Sequence, residues 1–200
     1  MALNQINRKS YHHGDLETAL IASAIKQIKK NGPTHLSLRE VASEVGVSPS
    51  AAYHYFPDKE SLVGAIAKHL FADLTNMELE ALNSINGTSS LAAKRKFRAI
   101  GRAYFEWGFK QPNLFQLMFG GYCSYKKEGG PQDEPAFNVL STVLDELVAS
   151  GAMPQSTRKG AELLAWSGVH GATQLIIEGH LPKETFEVVL DGIEKGLLIK

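Results

Sequence analysis

Apolar residues recur at three- and four-residue spacing along most of this chain, and no alternating run is long enough to build a sheet, so the pattern predicts an all-α protein. The sharpest segment runs from Ser37 to Leu62, S-L-R-E-V-A-S-E-V-G-V-S-P-S-A-A-Y-H-Y-F-P-D-K-E-S-L. Ser37 and Glu40 form an S-x-x-E capping box, in which each side chain satisfies a free backbone donor of the other. Leu38, Val41, Ala42 and Val45 then give a helical apolar face. Gly46 closes that helix, because a left-handed residue there meets no Cβ clash. Ser48 and Pro49 restart the chain as N-cap and first helical residue, which predicts a second short helix over Pro49 to Phe56. Two short helices joined by a glycine turn make a helix-turn-helix.

The pattern stays helical beyond this point. Pro57 to about Ile85 reads as a long helix with Leu62, Ile66, Leu70, Leu74 and Met77 near one face, followed by a loop over Asn86 to Ser90. Further helices are predicted over Leu91 to Gln111, Asn113 to about Tyr122, Ala136 to Ser150, Ser156 to Gly179 and Lys183 to Leu198. Ser124 to Pro135 is polar and carries Gly and Pro, so it reads as a loop. No internal repeat is evident.

The second short helix matters for what it displays. Pro49, Ser50, Ala51 and Ala52 are small enough for its first turn to approach base edges and thymine methyls in a major groove. Tyr53, His54, Tyr55 and Phe56 follow. One face cannot bury all four rings. Phe56 is the expected core anchor, and Tyr53 and Tyr55 are read as hydroxyls available to phosphates. Lys59 stands beside the helix-capping Asp58, where its ammonium and free amides can meet a phosphate together.

The segment from about Tyr11 to Leu70 resembles the N-terminal domain of TetR-family transcriptional regulators, carried by the G-V-S-x-x-x-x-Y-x-Y-F-x-x-K-E-x-L pattern at Gly46 to Leu62. The resemblance implies a three-helix DNA-binding domain with helix one near Gly14 to Asn31. It also implies phosphate or base contacts from Ser37, Pro49, Tyr53, Tyr55 and Lys59. The recognition turn itself offers no Arg, Asn or Gln for a forked base contact, so Arg39, His54, DNA shape and the basic arm with Arg8, Lys9, His12 and His13 are expected to add specificity. The expected DNA-binding set is therefore Ser37, Arg39, Ser48, Pro49, Ser50, Ala51, Tyr53, His54, Tyr55 and Lys59. The domains expected are an arm and helix-turn-helix over 1–60 and a larger C-terminal helical bundle over 61–200 that binds ligand and dimerises.

Composition bounds this reading. The chain has 200 residues, 44% of them hydrophobic, with 21 basic and 21 acidic residues balancing to zero. Zero net charge favours a ligand-controlled or sequence-selective binder over a nonspecific coat. The single Cys123 excludes an internal disulfide and a four-cysteine zinc site, fits a reducing cytoplasm, and reads as a buried thiol. No apolar run reaches the roughly 18 residues of a spanning helix, so a soluble cytoplasmic protein with no membrane partner is expected.

Tyr104, Phe105, Trp107, Phe109, Phe115, Met118, Phe119 and Tyr122 crowd into one stretch of a chain that is only 8% aromatic, which suits a partly apolar pocket between bundle helices. Trp166 and His170 share a helix face at i and i+4. The W-x-x-x-H-G run at Trp166 to Gly171 resembles the WHG-type C-terminal domain of some TetR-like regulators, which implies an effector domain. The ligand-binding set expected is Tyr104, Trp107, Phe115, Met118, Phe119, Tyr122, Trp166 and His170, for a small-molecule effector. Ala161, Ala165, Gly168 and Ala172 make a small-residue stripe, and Phe186, Val189, Leu190, Ile193 and Leu197 an apolar one. Together these stripes fit a four-helix homodimer interface, and the small stripe fits packing inside one chain as well.

The function read from these features is a ligand-responsive regulator, a repressor by family expectation, that binds a palindromic operator as a dimer and is released by its effector. Two alternatives stand beside it, a helical-bundle enzyme and a partner-binding module without DNA affinity. No catalytic motif appears, neither H-E-x-x-H, G-x-S-x-G, a P-loop nor a dinucleotide glycine pattern. No catalytic residue, metal ligand or cofactor is expected.

Overall fold

The computed structural model describes residues 13–121 and 135–198, and among these it contains nine α-helices and no strand. The all-α expectation holds. Two compact units divide between Ile66 and Ala67, a point within the fourth helix, α4 (Lys59–Asn83).

The first unit holds α1 (His13–Asn31), a 3-10 turn (Pro33–His35), α2 (Leu38–Val45), α3 (Pro49–Tyr55) and the start of α4. α1 packs on α2 and α2 on α3. Leu16, Leu20, Ala24 and Ile28 line the inner face of α1, and Leu38, Val41, Ala42, Ala52, Phe56, Leu62, Val63 and Ile66 close the core around them. Each large aliphatic side chain so buried contributes about 2 kcal/mol. Gly46 ends α2 at φ 79° and ψ 28°, and the amides of Gly46 and Val47 both reach back to the Ala42 carbonyl. The Ser48 hydroxyl accepts from the Ala51 amide at 3.2 Å and starts α3. α3 stops at Tyr55, one residue earlier than predicted. Phe56 is extended at φ −126° because Pro57 disfavours the helical conformation before it, yet the ring is buried as expected. Asp58 and Ser61 then cap α4 reciprocally: the Asp58 carboxylate accepts from the Ser61 amide at 2.7 Å, and the Ser61 hydroxyl accepts from the Asp58 amide at 3.3 Å.

In the second unit α5 (Ser90–Lys110) is central and packs against α6 (Pro112–Phe119), α7 (Pro135–Ala149), α8 (Ala161–Ile177) and α9 (Thr185–Leu197). Arg98 ties α5 to α9 through Glu187, Asp191 and Glu194, each at 2.6 Å, and Arg102 adds a second bond to Glu187. Partial burial works against the Arg98 charge, but these carboxylates hold the guanidinium above its ordinary pKa.

Most predicted boundaries shift by less than a turn. The exception is the helix predicted from Ser156. A 3-10 turn at Gln155–Thr157 precedes it, and Gly160 at φ 81° interrupts the chain before α8 begins at Ala161. The two stripes read as a dimer seam have partners inside the chain. Ala161, Ala165 and Ala172 are buried within the chain, as are Phe186, Leu190, Ile193 and Leu197. A Cβ on Gly168 would lie 2.8 Å from Ile193 Cδ1, so the small stripe lets α9 approach α8 inside one chain. The intramolecular alternative is the one realised.

Candidate functional site

In the first unit, α3 sorts its residues by face. Ala52 points inward and Phe56 follows it, while Pro49, Ser50, Tyr53 and His54 form an exposed face at i, i+1, i+4 and i+5, with Tyr53 41% exposed. Ser48 and Arg39 are exposed, and Ser37, Ala51 and Tyr55 half-buried. The edge of the Tyr55 ring meets His54 at 5.7 Å between centroids. Lys59 is exposed and its ammonium donates to the Thr34 carbonyl over a long 3.5 Å. Beside it the Asp58 carboxyl sits below its usual range because the Ser61 amide and hydroxyl bond to it. Nine of the ten expected residues thus lie on or cap α2 and α3, with Pro49, Ser50, Tyr53 and His54 sharing one outward face, and Lys59 opens α4. The arm at residues 1–12 lies outside the described residues.

One residue that supports this face was not anticipated. Gln27 is buried on α1, and its amide bonds α2 twice: its oxygen accepts from the Ser37 amide at 2.9 Å, and its nitrogen donates to Glu40 at 2.8 Å. The predicted capping box is therefore only half made. Ser37 Oγ accepts from the Glu40 amide at 3.4 Å, but the Ser37 amide goes to Gln27 and not to the Glu40 side chain. Buried Gln27 offers both a donor and an acceptor where the carboxylate offers only an acceptor.

In the second unit four of the predicted ligand residues come together around a fifth, His170. The Tyr104 hydroxyl is 2.8 Å from His170 Nδ1. Phe115 stacks on the imidazole at 5.2 Å, Phe119 meets it edge-on at 4.8 Å, and Trp166 lies tilted at 5.8 Å. Burial lowers the His170 pKa, which keeps the ring neutral near pH 7. Burial also lifts the Tyr104 hydroxyl far above its ordinary value; a hydrogen bond from Trp166 opposes this and the Glu78 charge adds to it. Trp107 and Met118 are buried, but Trp107 forms no ring pair with the cluster among the described residues. Tyr122 and Cys123 lie outside the described residues. The crowded rings of α5 also separate, since Phe105 stacks on Phe186 of α9 at 4.1 Å and Phe109 stacks on Phe105 at 5.5 Å, away from His170.

Residues 20–66 match the family profile described as bacterial regulatory proteins, tetR family, and residues 97–193 match that described as tetracyclin repressor-like, C-terminal domain. The chain belongs to the TetR family. It is a TetR-family transcriptional regulator with a DNA-binding domain. Over 55 residues it is 40% identical to the HTH-type transcriptional regulator BetI of Brucella anthropi, a match spanning 28% of each chain. A solved structure of a protein with unknown function from Rhodococcus sp. RHA1 superposes with a TM-score of 0.77 at 27% identity, covering 96% of this chain and 100% of that one. TetR-Q116A from Acinetobacter baumannii AYE, solved in complex with minocycline, shares the fold with a TM-score of 0.57 at 18% identity over 90% of this chain and 87% of that one.

Three further residues of this TetR-family chain reach the aromatic cluster or its borders. Phe71 of α4 meets Phe119 at 5.9 Å, and Phe137 of α7 meets Trp166 at 6.3 Å. Glu78 of α4 is only 5% exposed, and its Oε2 has no hydrogen-bond partner among the described residues. Burial pushes its pKa up to about 8. Phe71, Leu74, Thr75 and Glu78 recur at helical spacing, so an acid at the end of an apolar face was the available signal. Among the described residues no helix is long and apolar enough to cross a membrane.

Proposed function

We propose that this chain is a ligand-responsive repressor that binds a palindromic operator as a homodimer and is released by a small-molecule effector. The observation that carries the DNA half is the outward face of α3, where small residues at its N-terminal turn leave Pro49 and Ser50 free to approach a groove while Tyr53 stands exposed one turn on. Ser37, Arg39, Ser48, Ala51, His54, Tyr55 and Lys59 complete the contact set. Lys59 is held only by a long bond to Thr34, which a phosphate replaces at little cost. The similarity to BetI, an HTH-type transcriptional regulator, supports this half.

The effector occupies the second unit around Tyr104, Phe115, Phe119, Trp166 and His170, with Trp107 and Met118 behind them. The A. baumannii protein of the same fold, solved in complex with minocycline, is a precedent for a small molecule bound by this fold. The homodimer forms through the outward faces of α8 and α9. Leu164 and Leu175 are 51% and 42% exposed on α8, Val188 is 69% exposed on α9, and Gly171 and Gly192 leave open space beside them. Effector binding shifts the balance between two dimer states through α4, which runs from one unit into the other, and only one state matches the operator half-sites. The protein acts in the cytoplasm.

The test is selection of bound duplexes from random DNA, followed by mobility shift with the wild type and with Tyr53→Ala and Lys59→Ala. The reading expects a palindromic sequence and weaker binding by both variants, roughly tenfold for a lost phosphate contact. Unchanged affinity in both variants overturns the head assignment.

A further inference from the structure

Glu78 is the one acidic residue buried among the described residues, and the other buried polar side chains, Gln27, Thr75 and Thr173, are neutral. Thr75 and Thr173 are satisfied within their own helices, by the carbonyls of Phe71 and Val169. Among the described residues the Glu78 Oε2 has no hydrogen-bond partner, although the residue is only 5% exposed. A carboxyl in that position costs several kcal/mol if ionised without a partner, so a protein that keeps one there either leaves it protonated or supplies a partner from outside. The carboxyl is close enough to Tyr104 to act on its hydroxyl electrostatically. Phe71, two turns away on the same face of α4, meets Phe119, which in turn packs on His170. Beyond the Tyr104 hydroxyl, the cluster offers ring faces and an uncharged imidazole. The cluster residues Tyr104, Phe115, Phe119, Trp166 and His170 include no lysine or arginine. Such surroundings repel an anion and favour a cation, because ring faces attract positive charge and desolvation strengthens the attraction.

We infer that the effector is an organic cation with an apolar or aromatic body, its positive centre held by Glu78 and its body lying among Tyr104, Phe115, Phe119, Trp166 and His170. This rests on the effector-binding reading above and specifies its chemistry. A bound cation supplies the partner that the carboxyl lacks and draws it into the ionised form, so binding releases a proton. The group that feels this change is Tyr104 on α5, while α6 carries no titratable side chain. Tyr104 stays protonated through the range in which Glu78 gives up its proton.

The experiment uses three probes of matched size: benzyltrimethylammonium, its uncharged carbon isostere neopentylbenzene, and phenylacetate. Both tryptophans of the chain, Trp107 and Trp166, lie in or behind the site, so intrinsic fluorescence of the full-length protein reads binding directly. The expected result is that the cation binds roughly tenfold or more tightly than either other probe, that Glu78→Gln removes this preference, and that binding releases protons in proportion to occupancy. Unfolding of Glu78→Gln, followed in parallel, is expected to show a folded protein at least as stable as wild type above pH 8, so a lost preference cannot be ascribed to misfolding. Equal or tighter binding of the neutral or anionic probe, no binding of the cation, or undiminished cation preference in Glu78→Gln overturns the inference. The mobility shift of the operator duplex is scored separately. If DNA binding is intact while the cation preference is absent, the ligand chemistry is wrong and the regulator reading survives; if the cation binds but the head binds no duplex, the reverse holds.

Discussion

The head and the aromatic cluster dispose of their polar groups in opposite ways. In the head the one buried polar side chain among the described residues is matched by its neighbours, and several polar groups at the surface are paired too. Gln27 serves both Ser37 and Glu40, Ser23 bonds Glu44, and Asp58 and Ser61 cap each other. The groups left over face solvent on α3. In the C-terminal unit the unmatched groups face inward, with Glu78 Oε2 and the Trp107 indole nitrogen both buried and without a hydrogen-bond partner among the described residues. The difference teaches where each region has kept free energy in reserve. A surface that reads DNA needs rigid support and exposed donors, whereas a site that takes a small molecule keeps desolvated groups whose cost a ligand removes.

The largest expected effect tests the inward-facing side. Glu78 has a folded pKa of about 8 against an ordinary 4.5, so between these values the folded protein holds a proton that the unfolded chain has released. Stability contributed by that proton is complete below 4.5 and is lost as pH rises, until it levels off above about 8. Relative to Glu78→Gln, the wild type is expected to lose up to about 1.4 kcal/mol per pH unit across this window, several kcal/mol in all. Urea denaturation at stepped pH measures it, and a difference that stays flat with pH breaks the contrast drawn between the two regions.

A smaller effect tests the head. Gln27→Ala strands the Ser37 amide and removes the donor to Glu40, and is expected to cost about 2 kcal/mol. Hydrogen exchange at the α2 amides should quicken. Tryptophan fluorescence should not change, since both tryptophans lie in the other unit. Slowed or unaltered exchange at α2 would mean that the support for the recognition face lies elsewhere.

The head was largely legible because its signals are local. Ser37, Gly46, Ser48, Pro49 and Asp58 each act on backbone within a turn of themselves, and that is the range over which sequence spacing carries meaning. Gln27 was not legible, since its partners lie ten and thirteen residues away on another helix. The cluster was half legible for the same reason. Trp166 and His170 pair at i and i+4, and Phe115 and Phe119 repeat that spacing, but nothing local says that Phe105 turns toward Phe186 while Tyr104, its neighbour, turns toward His170. The small stripe on α8 was ambiguous because close approach looks alike whether the partner helix comes from the same chain or another. The contact between Gly168 and Ile193 resolves it. Glu78 went unremarked because an acid on a long polar-faced helix is ordinary until the face it occupies is known to be inside.

The central claim is that the exposed residues of α3 and the start of α4 bind duplex DNA, and the salt dependence of binding to the selected duplex tests it most directly. Fluorescence anisotropy of the labelled duplex against salt concentration should give log affinity falling linearly with log salt. Lys59→Ala should shallow that slope by about one for each head bound, while leaving the preferred sequence unchanged. An affinity independent of salt, or a slope identical in wild type and Lys59→Ala, would contradict the account.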